Sequence, residues 1–242
     1  MALPEFSAFH PSTLASRTRE TPDHVVFEVA ATSAMLDAFT RPGQFVKMRV
    51  HGEDGRAHTG IFALATAPFE RALRFLARTN NPEGGEAADR IAAMPMSAPL
   101  EITLPVGDGF ALDRARGRDL ALVAVGTALA PVRSALEVAL RERDAYGALS
   151  LDYGLRELGH LPFARDVERW RAAGVAVHLH VSAPQPDGSL AGVRAQDALF
   201  DRLGARTAET AILAVGHDAL VREVRARHAQ RGGAPELVLH NY

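Results

Sequence analysis

The sequence predicts an N-terminal antiparallel β-barrel followed by a doubly wound parallel α/β sheet. Short extended segments separated by Pro and Gly turns fill the first ~110 residues, a pattern typical of a barrel. After the charged segment 114–118, strands alternate with helices, which is typical of a parallel sheet. We therefore expect one domain at 1–114 and a second domain at 115–242.

The predicted barrel has six strands and one helix. Segment 45–50 alternates between two faces along its length, as expected for a strand with one side buried. A short helix is predicted over 86–94, where Ala87, Ile91 and Met94 form one apolar face. Five of the six strands are assigned to segments, namely 24–29, 45–50, 60–65, 73–78 and 100–104.

Segment 120–125 is the centre of the second domain. Its uninterrupted Leu, Ala and Val residues are typical of a strand buried on both faces. Gly126 and Thr127 end this run, and Pro131 begins a helix predicted over 131–143. Such a unit directs free backbone N–H groups and the positive end of a helix toward a phosphate. An ordinary strand–turn–helix unit that binds nothing has the same pattern.

Strand and helix segments continue to alternate along the rest of the sequence. In sheets of this kind, ligands bind at the carboxyl ends of the strands. The further strands are predicted at 149–153, 175–182, 210–215 and 236–240, and the further helices at 163–173, 196–203 and 219–231.

Composition narrows the classes of function. The absence of cysteine excludes disulfides, thiolate catalysis and Cys-ligated iron–sulfur clusters. The formal net charge of −2 gives no electrostatic basis for binding nucleic acid or an anionic membrane. No apolar run approaches the about 20 residues of a membrane span, and the first residues lack the pattern of a signal peptide. We expect a cytoplasmic protein.

Six short motifs follow one another in a characteristic order. They are Arg41-Pro-Gly-Gln-Phe-Val46, Leu104-Pro-Val-Gly-Asp-Gly-Phe110, Val125-Gly-Thr-Ala-Leu-Ala-Pro131, Asp152-Tyr-Gly-Leu-Arg156, Ala214-Val-Gly-His-Asp-Ala-Leu220 and His240-Asn-Tyr242. In this order and spacing the chain resembles the ferredoxin–NADP reductase superfamily over nearly its whole length. The resemblance implies FAD bound to the barrel, NAD(P)H bound to the parallel sheet, and electron transfer between them.

The flavin motif of that superfamily is altered here. Family members carry Arg-x-Tyr-Ser on a barrel strand, where the Arg neutralises the flavin pyrophosphate, the Tyr packs on the flavin and the Ser hydrogen-bonds near its reactive nitrogen. This chain has Gly60-Ile-Phe-Ala63 instead, so only the aromatic face of Phe62 is kept. The resemblance then implies that the flavin edge contacts mainly backbone, at Phe62, Ala63, Leu64, Ala65 and Thr66.

Two features are candidates to replace the lost positive charge. Arg78 ends the next barrel strand, where family members place an arginine near the pyrophosphate. Gly84, Gly85, Glu86 and Ala87 open the barrel helix, and free amides there are suited to phosphate. The alternative for this segment is a barrel helix capped by flexible glycines.

The nicotinamide motifs also depart from the family pattern. Val125 and Ala128 replace two glycines, and the family's Cys-Gly-Pro becomes Val215-Gly-His217. A Cβ at the first two positions narrows the space where backbone meets pyrophosphate. The positions that the resemblance still implies for NAD(P)H are Gly126, Thr127, Gly154, Arg156 and Gly216.

Residues near the ends of strands add finer expectations. Ser182 is followed by Ala183, where NADPH-specific members often have arginine, so NADH is favoured over NADPH. His217 is expected to touch phosphate or supply a proton, or else to be a solvated loop residue. Tyr242 resembles the terminal aromatic that covers the flavin, although it equally suits packing at the domain edge.

His178 and His180 lie two apart on a predicted strand, so both point the same way. They could share a metal, but no suitable third ligand is evident, and a structural zinc site needs four. We expect a hydrogen-bonded pair and no metal.

These observations favour a flavin-dependent oxidoreductase that passes electrons from NAD(P)H through FAD to an acceptor. With no cysteine to ligate a cluster, the acceptor is expected to be a separate protein, a quinone or another small molecule. Two alternatives remain: a non-catalytic, flavin-poor or flavin-free binding or regulatory protein on the same fold, and a flavin protein reduced by a partner instead of NAD(P)H.

Overall fold

The computed structural model describes residues 4–52, 54–80, 86–182 and 192–241. Six antiparallel strands form the first sheet, in the order β4-β3-β6-β1-β2-β5. They are β1 (His10–Thr21), β2 (His24–Val29), β3 (Phe45–His51), β4 (Ala57–Ala63), β5 (Leu73–Arg78) and β6 (Pro99–Ile102).

The two outer strands of this sheet meet, so the sheet closes into the predicted barrel. Leu64, just after β4, pairs with Phe75 of β5 as an isolated antiparallel bridge. The backbone N–H of Ala65 then donates to the carbonyl oxygen of Arg74, with an N–O distance of 2.8 Å. This early closure explains why β4 ends at Ala63 and not at residue 65 as predicted.

The long strand β1 is the barrel strand that was not assigned to a segment from the sequence. It pairs with β6 at one end and with β2 at the other, and so joins the two halves of the barrel. Most of its twelve residues are polar and lie at the surface, while Leu14 and Thr21 are buried. Its apolar pattern is therefore too weak to identify from sequence.

Aromatic packing fills the barrel interior. The Phe27 ring lies 5.3 Å from the Phe75 ring and 5.7 Å from the Phe62 ring, centroid to centroid. Two helices cover this core: α1 (Ser33–Ala38), which was not predicted, and α2 (Ala87–Ala93). The N–H of Met35 donates to the Thr32 hydroxyl, which caps α1.

Five parallel strands form the second sheet, in the order β11-β10-β7-β8-β9, which confirms the predicted doubly wound domain. The strands are β7 (Leu120–Val125), β8 (Leu149–Leu155), β9 (Ala176–Val181), β10 (Ala211–Val215) and β11 (Val238–Leu239). The helices are α3 (Leu129–Arg141), α4 (Ala164–Ala172), α5 (Ala195–Leu203) and α6 (Asp218–Gln230). The last strand is shorter than predicted because Pro235–Leu237 forms a 3-10 turn.

Alternate residues of β7 face opposite layers of helices. Leu120 and Leu122 pack in the core that includes α3 and α4, whereas Ala121 and Val123 pack in the core that includes α5 and α6. Burial on both faces is the reason that β7 has a continuous apolar sequence. Within the described residues, no helix combines the length and hydropathy that a transmembrane span requires.

A buried arginine joins the two sheets. Arg133 of α3 donates from Nη1 to the carbonyl oxygen of Ala65 (2.7 Å) and from the same nitrogen to Glu70 Oε2 (3.0 Å). Its Nε donates to Asp166 Oδ2 at 3.0 Å. Because the side chain is 4% exposed, these contacts fix the arrangement of the barrel and the parallel sheet at the start of α3.

We expect acidification from about pH 8 to about pH 5 to destabilise the fold. Burial lowers the pKa of His228, and also those of His24 and His178. The unfolded chain, in which histidine has a pKa of about 6.5, then binds more protons than the folded chain as the pH falls below that value. Urea denaturation at a series of pH values should show the midpoint falling on acidification.

The His228→Gln variant tests the contribution of one group. His228 is fully buried, and its Nε2 lies 3.2 Å from the carbonyl oxygen of Thr210. Glutamine keeps an N–H donor and cannot become charged, so it should flatten part of the pH dependence. A wild-type midpoint that rises as the pH falls would contradict the prediction.

Candidate functional site

Two adjoining cavities lie where the barrel meets the carboxyl ends of the parallel strands. The barrel-side cavity has a volume of about 530 Å³ and is lined by β4, the end of β5 and the start of α2. The strand-end cavity has a volume of about 520 Å³ and is lined by the ends of β7, β8 and β9. The residues that line both are Arg78, Val125, Thr127 and His217. Each volume is in the range of natural ligand sites.

Strand β4 forms an apolar surface of the barrel-side cavity. Phe62 and Ala63 line it as predicted, but Phe62 is 8% exposed and its ring packs on Phe27 and Phe75. The expectation that Phe62 keeps a free aromatic face is therefore corrected, because the ring belongs mainly to the barrel core. Ile61, which lies on the opposite face of β4 and is 47% exposed, is the apolar residue that the sequence analysis missed.

The absence of a side chain at Gly60 is needed for this packing. A Cβ at that position would lie 2.8 Å from the Phe62 ring and 3.2 Å from the Cβ of Ala87. The side chain of Phe62 thus occupies the space next to Gly60, and a larger residue there would force the ring to move.

Leu64, Ala65 and Thr66 are not among the residues that line either cavity, contrary to expectation. All three are buried. The N–H of Leu64 donates to the Gln44 carbonyl oxygen, and the N–H and carbonyl oxygen of Ala65 bond Arg74 and Arg133. These hydrogen bonds serve barrel closure and the contact between the sheets, so both backbone groups of Ala65 are already paired within the protein.

Arg78 lies between the two cavities and has a carboxylate partner. Its Nε is 3.3 Å from Oδ2 of Asp23, in the turn between β1 and β2. Asp23 Oδ1 lies 2.9 Å from Nδ1 of His24 and 2.8 Å from Nδ1 of His160, which follows β8 in the second sheet. Partial burial opposes ionisation of Asp23, but these cationic and hydrogen-bonding neighbours hold its pKa below its ordinary value.

The start of α2 lies beside the barrel-side cavity. Ala87 is 1% exposed and lines it, while the preceding Glu86 places its Oε2 2.9 Å from His58 Nδ1. Glu86 therefore brings a negative charge to the helix end where phosphate was predicted. Gly84 and Gly85 lie outside the described residues.

The turn after β7 has the predicted form. Gly126 has φ +55°, a left-handed conformation that suits glycine, and Thr127 is exposed in a 3-10 turn leading into α3. The Tyr153 hydroxyl donates to the carbonyl oxygen of Gly126 at 3.0 Å. Burial raises the pKa of Tyr153, so the hydroxyl stays protonated and holds the turn in place.

The other residues that were predicted to bind a nicotinamide nucleotide also line these cavities. Gly154 and Arg156 line the strand-end cavity, and Gly216 lines the barrel-side cavity. His217 caps α6, because its Nδ1 accepts a hydrogen bond from the N–H of Leu220 at 3.2 Å. That contact leaves Nε2 as the ring nitrogen that carries the proton in the neutral form.

His180 and Ser182 lie at the end of β9, on the strand-end cavity. His180 Nε2 is 2.9 Å from Asp152 Oδ1, whereas His178 Nε2 is buried without a hydrogen-bond partner, so the predicted hydrogen-bonded pair of histidines is not formed. Burial lowers the pKa of His178, and the nearby charge of Asp152 opposes this effect. In the described part of the chain, no group of three or more His, Asp or Glu side chains is placed to hold a metal ion. Ala183 lies outside the described residues.

Asn241 is a second residue that the sequence analysis missed. Its Nδ2 donates to the carbonyl oxygen of Gly43 at 2.9 Å, and the residue lines the barrel-side cavity. Gly43 has φ +91° and packs against the Phe110 ring, where a Cβ would be 2.7 Å away. This hydrogen bond therefore connects the segment after the last strand of the second sheet to the Pro-Gly turn of the barrel. Tyr242 lies outside the described residues.

The barrel and the parallel sheet together enclose a two-part cleft at their junction. Residues 122–226 match the family model of the oxidoreductase NAD-binding domain. Among solved structures, the flavohem-like FAD/NAD-binding domain of nitric oxide dioxygenase from Vibrio cholerae O1 biovar El Tor has a TM-score of 0.79 at 14% identity, over 96% of this chain and 97% of that chain. A ferredoxin NADP+ reductase from Neisseria gonorrhoeae with bound FAD and NADP has a TM-score of 0.74 at 15% identity. The match covers 93% of this chain and 92% of that chain.

Two characterised relatives are also similar in sequence. A nitrate reductase [NAD(P)H] of Hordeum vulgare is 31% identical over 105 residues, covering 39% of this chain and 12% of the relative. A sulfhydrogenase 2 subunit gamma of Pyrococcus furiosus is 28% identical over 143 residues, which cover 58% of this chain and 46% of the relative. The matched segment thus spans less than half of either relative. The chain therefore has the fold of these solved structures, and residues 122–226 are similar to the oxidoreductase NAD-binding domain.

Proposed function

We propose that this protein is a flavin-dependent oxidoreductase that passes electrons from NAD(P)H through FAD to a separate acceptor. The observation that supports it best is the pair of adjoining cavities, one against the barrel and one at the strand ends, with four residues in common. Two ligands bound there would lie next to each other, which is the arrangement that transfer between two cofactors needs.

The barrel-side cavity fits a flavin in its chemistry. Ile61, Ala63 and Ala87 give it an apolar surface. Arg78 supplies a positive charge at its edge for a pyrophosphate, shared with Asp23. A bound flavin would supply the electron-accepting ring, and this apolar surface would keep water from it.

The strand-end cavity fits a nicotinamide dinucleotide. The turn at Gly126 and Thr127, which leads into α3, lines it, and Gly154 lies beside this turn near the end of β8. Arg156 adds an exposed cation at the rim. We propose NADH over NADPH, because Ser182 is followed by alanine and not by a cation.

The acceptor is proposed to be another protein, a quinone or a small molecule. The sequence has no cysteine to ligate an iron–sulfur cluster. A structurally similar chain is the ferredoxin reductase in carbazole 1,9a-dioxygenase, with a TM-score of 0.79 at 16% identity over 97% of this chain and 69% of that chain. Its name supports, by analogy alone, an acceptor that is a separate redox partner.

Two spectra test the proposal on the purified protein. We expect a flavin absorption band after purification or after incubation with FAD and gel filtration, and bleaching of that band when NADH is added anaerobically. If the protein carries no flavin after purification and also retains none after incubation with FAD and gel filtration, the flavin-dependent function is overturned. Retained flavin that NADH and NADPH both fail to bleach would instead support a flavin protein reduced by a partner.

A flavin-free binding protein is the second candidate. It is favoured by the engagement of Arg78 with Asp23 and by the carboxylate of Glu86 at the start of α2, since both oppose binding of a pyrophosphate. Binding of a nicotinamide nucleotide without any retention of flavin would identify it.

We expect Arg78→Ala to lose most of its bound flavin while remaining folded, because it removes the cation at the edge of the barrel-side cavity. Arg74→Ala is the matched control. Arg74 lies on the same face of β5 and pairs with a carboxylate, that of Glu28. Its side chain is 33% exposed, compared with 27% for that of Arg78, and it is not among the residues that line either cavity. The flavin-to-protein absorbance ratio after gel filtration measures the effect. Equal flavin content in both variants would place the phosphate-binding charge elsewhere.

A further inference from the structure

Val125 occupies a special position at the end of the central strand. It is the last residue of β7, and it is partly exposed, whereas the five residues before it are buried. It pairs with Gly154 of the neighbouring strand β8, and Gly216 follows β10 on its other side. Val125 also lines both cavities. An apolar side chain therefore projects between two glycines at the junction of the cavities.

The distances show how closely this side chain fits. A Cβ built on Gly154 would lie 3.0 Å from Cγ1 of Val125, and a Cβ built on Gly216 would lie 3.1 Å from its Cγ2. The isopropyl group thus takes up the space above both glycines. A β-branched side chain in a strand has a restricted χ1, so it does not readily swing away.

The other shared residues differ from Val125. Thr127 and Arg78 are polar, and His217 is held as the cap of α6 by the N–H of Leu220. Among the four residues that line both cavities, Val125 alone has an aliphatic side chain. A flat ring that enters the junction must either pack against this side chain or be excluded by it.

We propose that Val125 is the residue that controls how far the nicotinamide half of a dinucleotide passes from the strand-end cavity toward the barrel-side cavity. This inference rests on the proposed function, because it assumes that the strand-end cavity binds the nucleotide. NAD+ and ADP-ribose share the adenosine, the diphosphate and the second ribose, so any effect of Val125 on the diphosphate is common to both ligands and cancels in the ratio of their affinities. Hydride transfer needs reacting atoms about 3–3.5 Å apart, so Val125 sets the approach of the two rings.

Two ligands that differ by the nicotinamide group test this. NAD+ and ADP-ribose share the adenosine diphosphate ribose portion, and the ratio of their dissociation constants reports the contribution of the nicotinamide. In Val125→Ala, we expect NAD+ to gain about tenfold in affinity relative to ADP-ribose, because the nicotinamide ring buries additional surface. Isothermal titration calorimetry on the protein as purified measures both constants.

Val181→Ala is the matched control. Val181 is likewise the last, partly exposed residue of its strand, β9, and it is not among the residues that line either cavity. Its truncation should leave the ratio at the wild-type value. If Val125→Ala is poorly folded, Val125→Thr, which keeps the shape of the side chain, should retain the wild-type ratio, while Val125→Ile should lower the relative affinity for NAD+.

The outcomes separate the inference from the proposed function. An unchanged ratio in Val125→Ala, or a parallel change in both ligands, would overturn the role of Val125 while leaving the nucleotide site intact. Failure of the wild type to bind either ligand would overturn both. As a second readout, the rate of anaerobic flavin bleaching by NADH should rise in Val125→Ala but not in Val181→Ala.

Discussion

Arg133→Met will lower the free energy of unfolding by about 3–5 kcal/mol, the usual cost of removing one partner from a buried ion pair. Methionine keeps the apolar stem but leaves Glu70 and Asp166 without their shared cation, and the carbonyl oxygen of Ala65 without its donor. Burial disfavours the charged form of Asp166, and Arg133 is the first of the groups that hold its pKa below the ordinary value. Urea denaturation followed by circular dichroism measures the loss.

Arg169→Met is the control for this experiment. Arg169 contacts the same Asp166, at 2.7 Å, but is 48% exposed, so its removal should cost less than about 1 kcal/mol. Similar losses in the two variants would show that burial of Arg133 does not determine its contribution.

Ala63→Trp is expected to abolish flavin retention without unfolding the barrel. Ala63 lies on the same face of β4 as the exposed Ile61, and both line the barrel-side cavity of about 530 Å³. An indole ring projecting from this position would occupy the space that we assign to the flavin. Flavin absorbance per protein after incubation with FAD and gel filtration is the measurement.

Thr59→Trp is the matched control for the cavity. Thr59 lies on the same strand and the same face, is exposed, and is not among the residues lining the barrel-side cavity. It should retain flavin at the wild-type level, and both variants should unfold at similar temperatures. Full flavin retention by Ala63→Trp would mean that the flavin, if present, binds outside this cavity.

The order of elements in the second sheet could be predicted because its strands are buried on both faces. Continuous apolar runs such as β7, followed by Gly and Pro signals, have few alternative structures. The barrel was harder, since the long strand β1 exposes most of its side chains and carries little apolar pattern. Helix α1 has six residues, of which Met35 is buried, so its apolar pattern is also too weak to predict a helix.

The candidate site was predictable in its location but not in its contacts. Sequence motifs placed Arg78, Thr127 and Gly216 near a cleft, and the structure brings them there. Sequence could not show that the Phe62 ring turns into the barrel core, because its orientation depends on Phe27 and Phe75 of other strands. Nor could it pair Arg133 with Ala65, which is 68 residues earlier in the chain.

The hydrophobic core of the parallel sheet extends into the barrel. Val26, Leu76 and Phe110 of the first half pack in the same cluster as Leu120 and Leu122 of β7. Rotating the two halves apart would expose this apolar surface to water, which opposes a hinge motion. Exchange of ligands therefore depends on local rearrangement of side chains and loops around the cleft, and the two halves should unfold together in one cooperative transition.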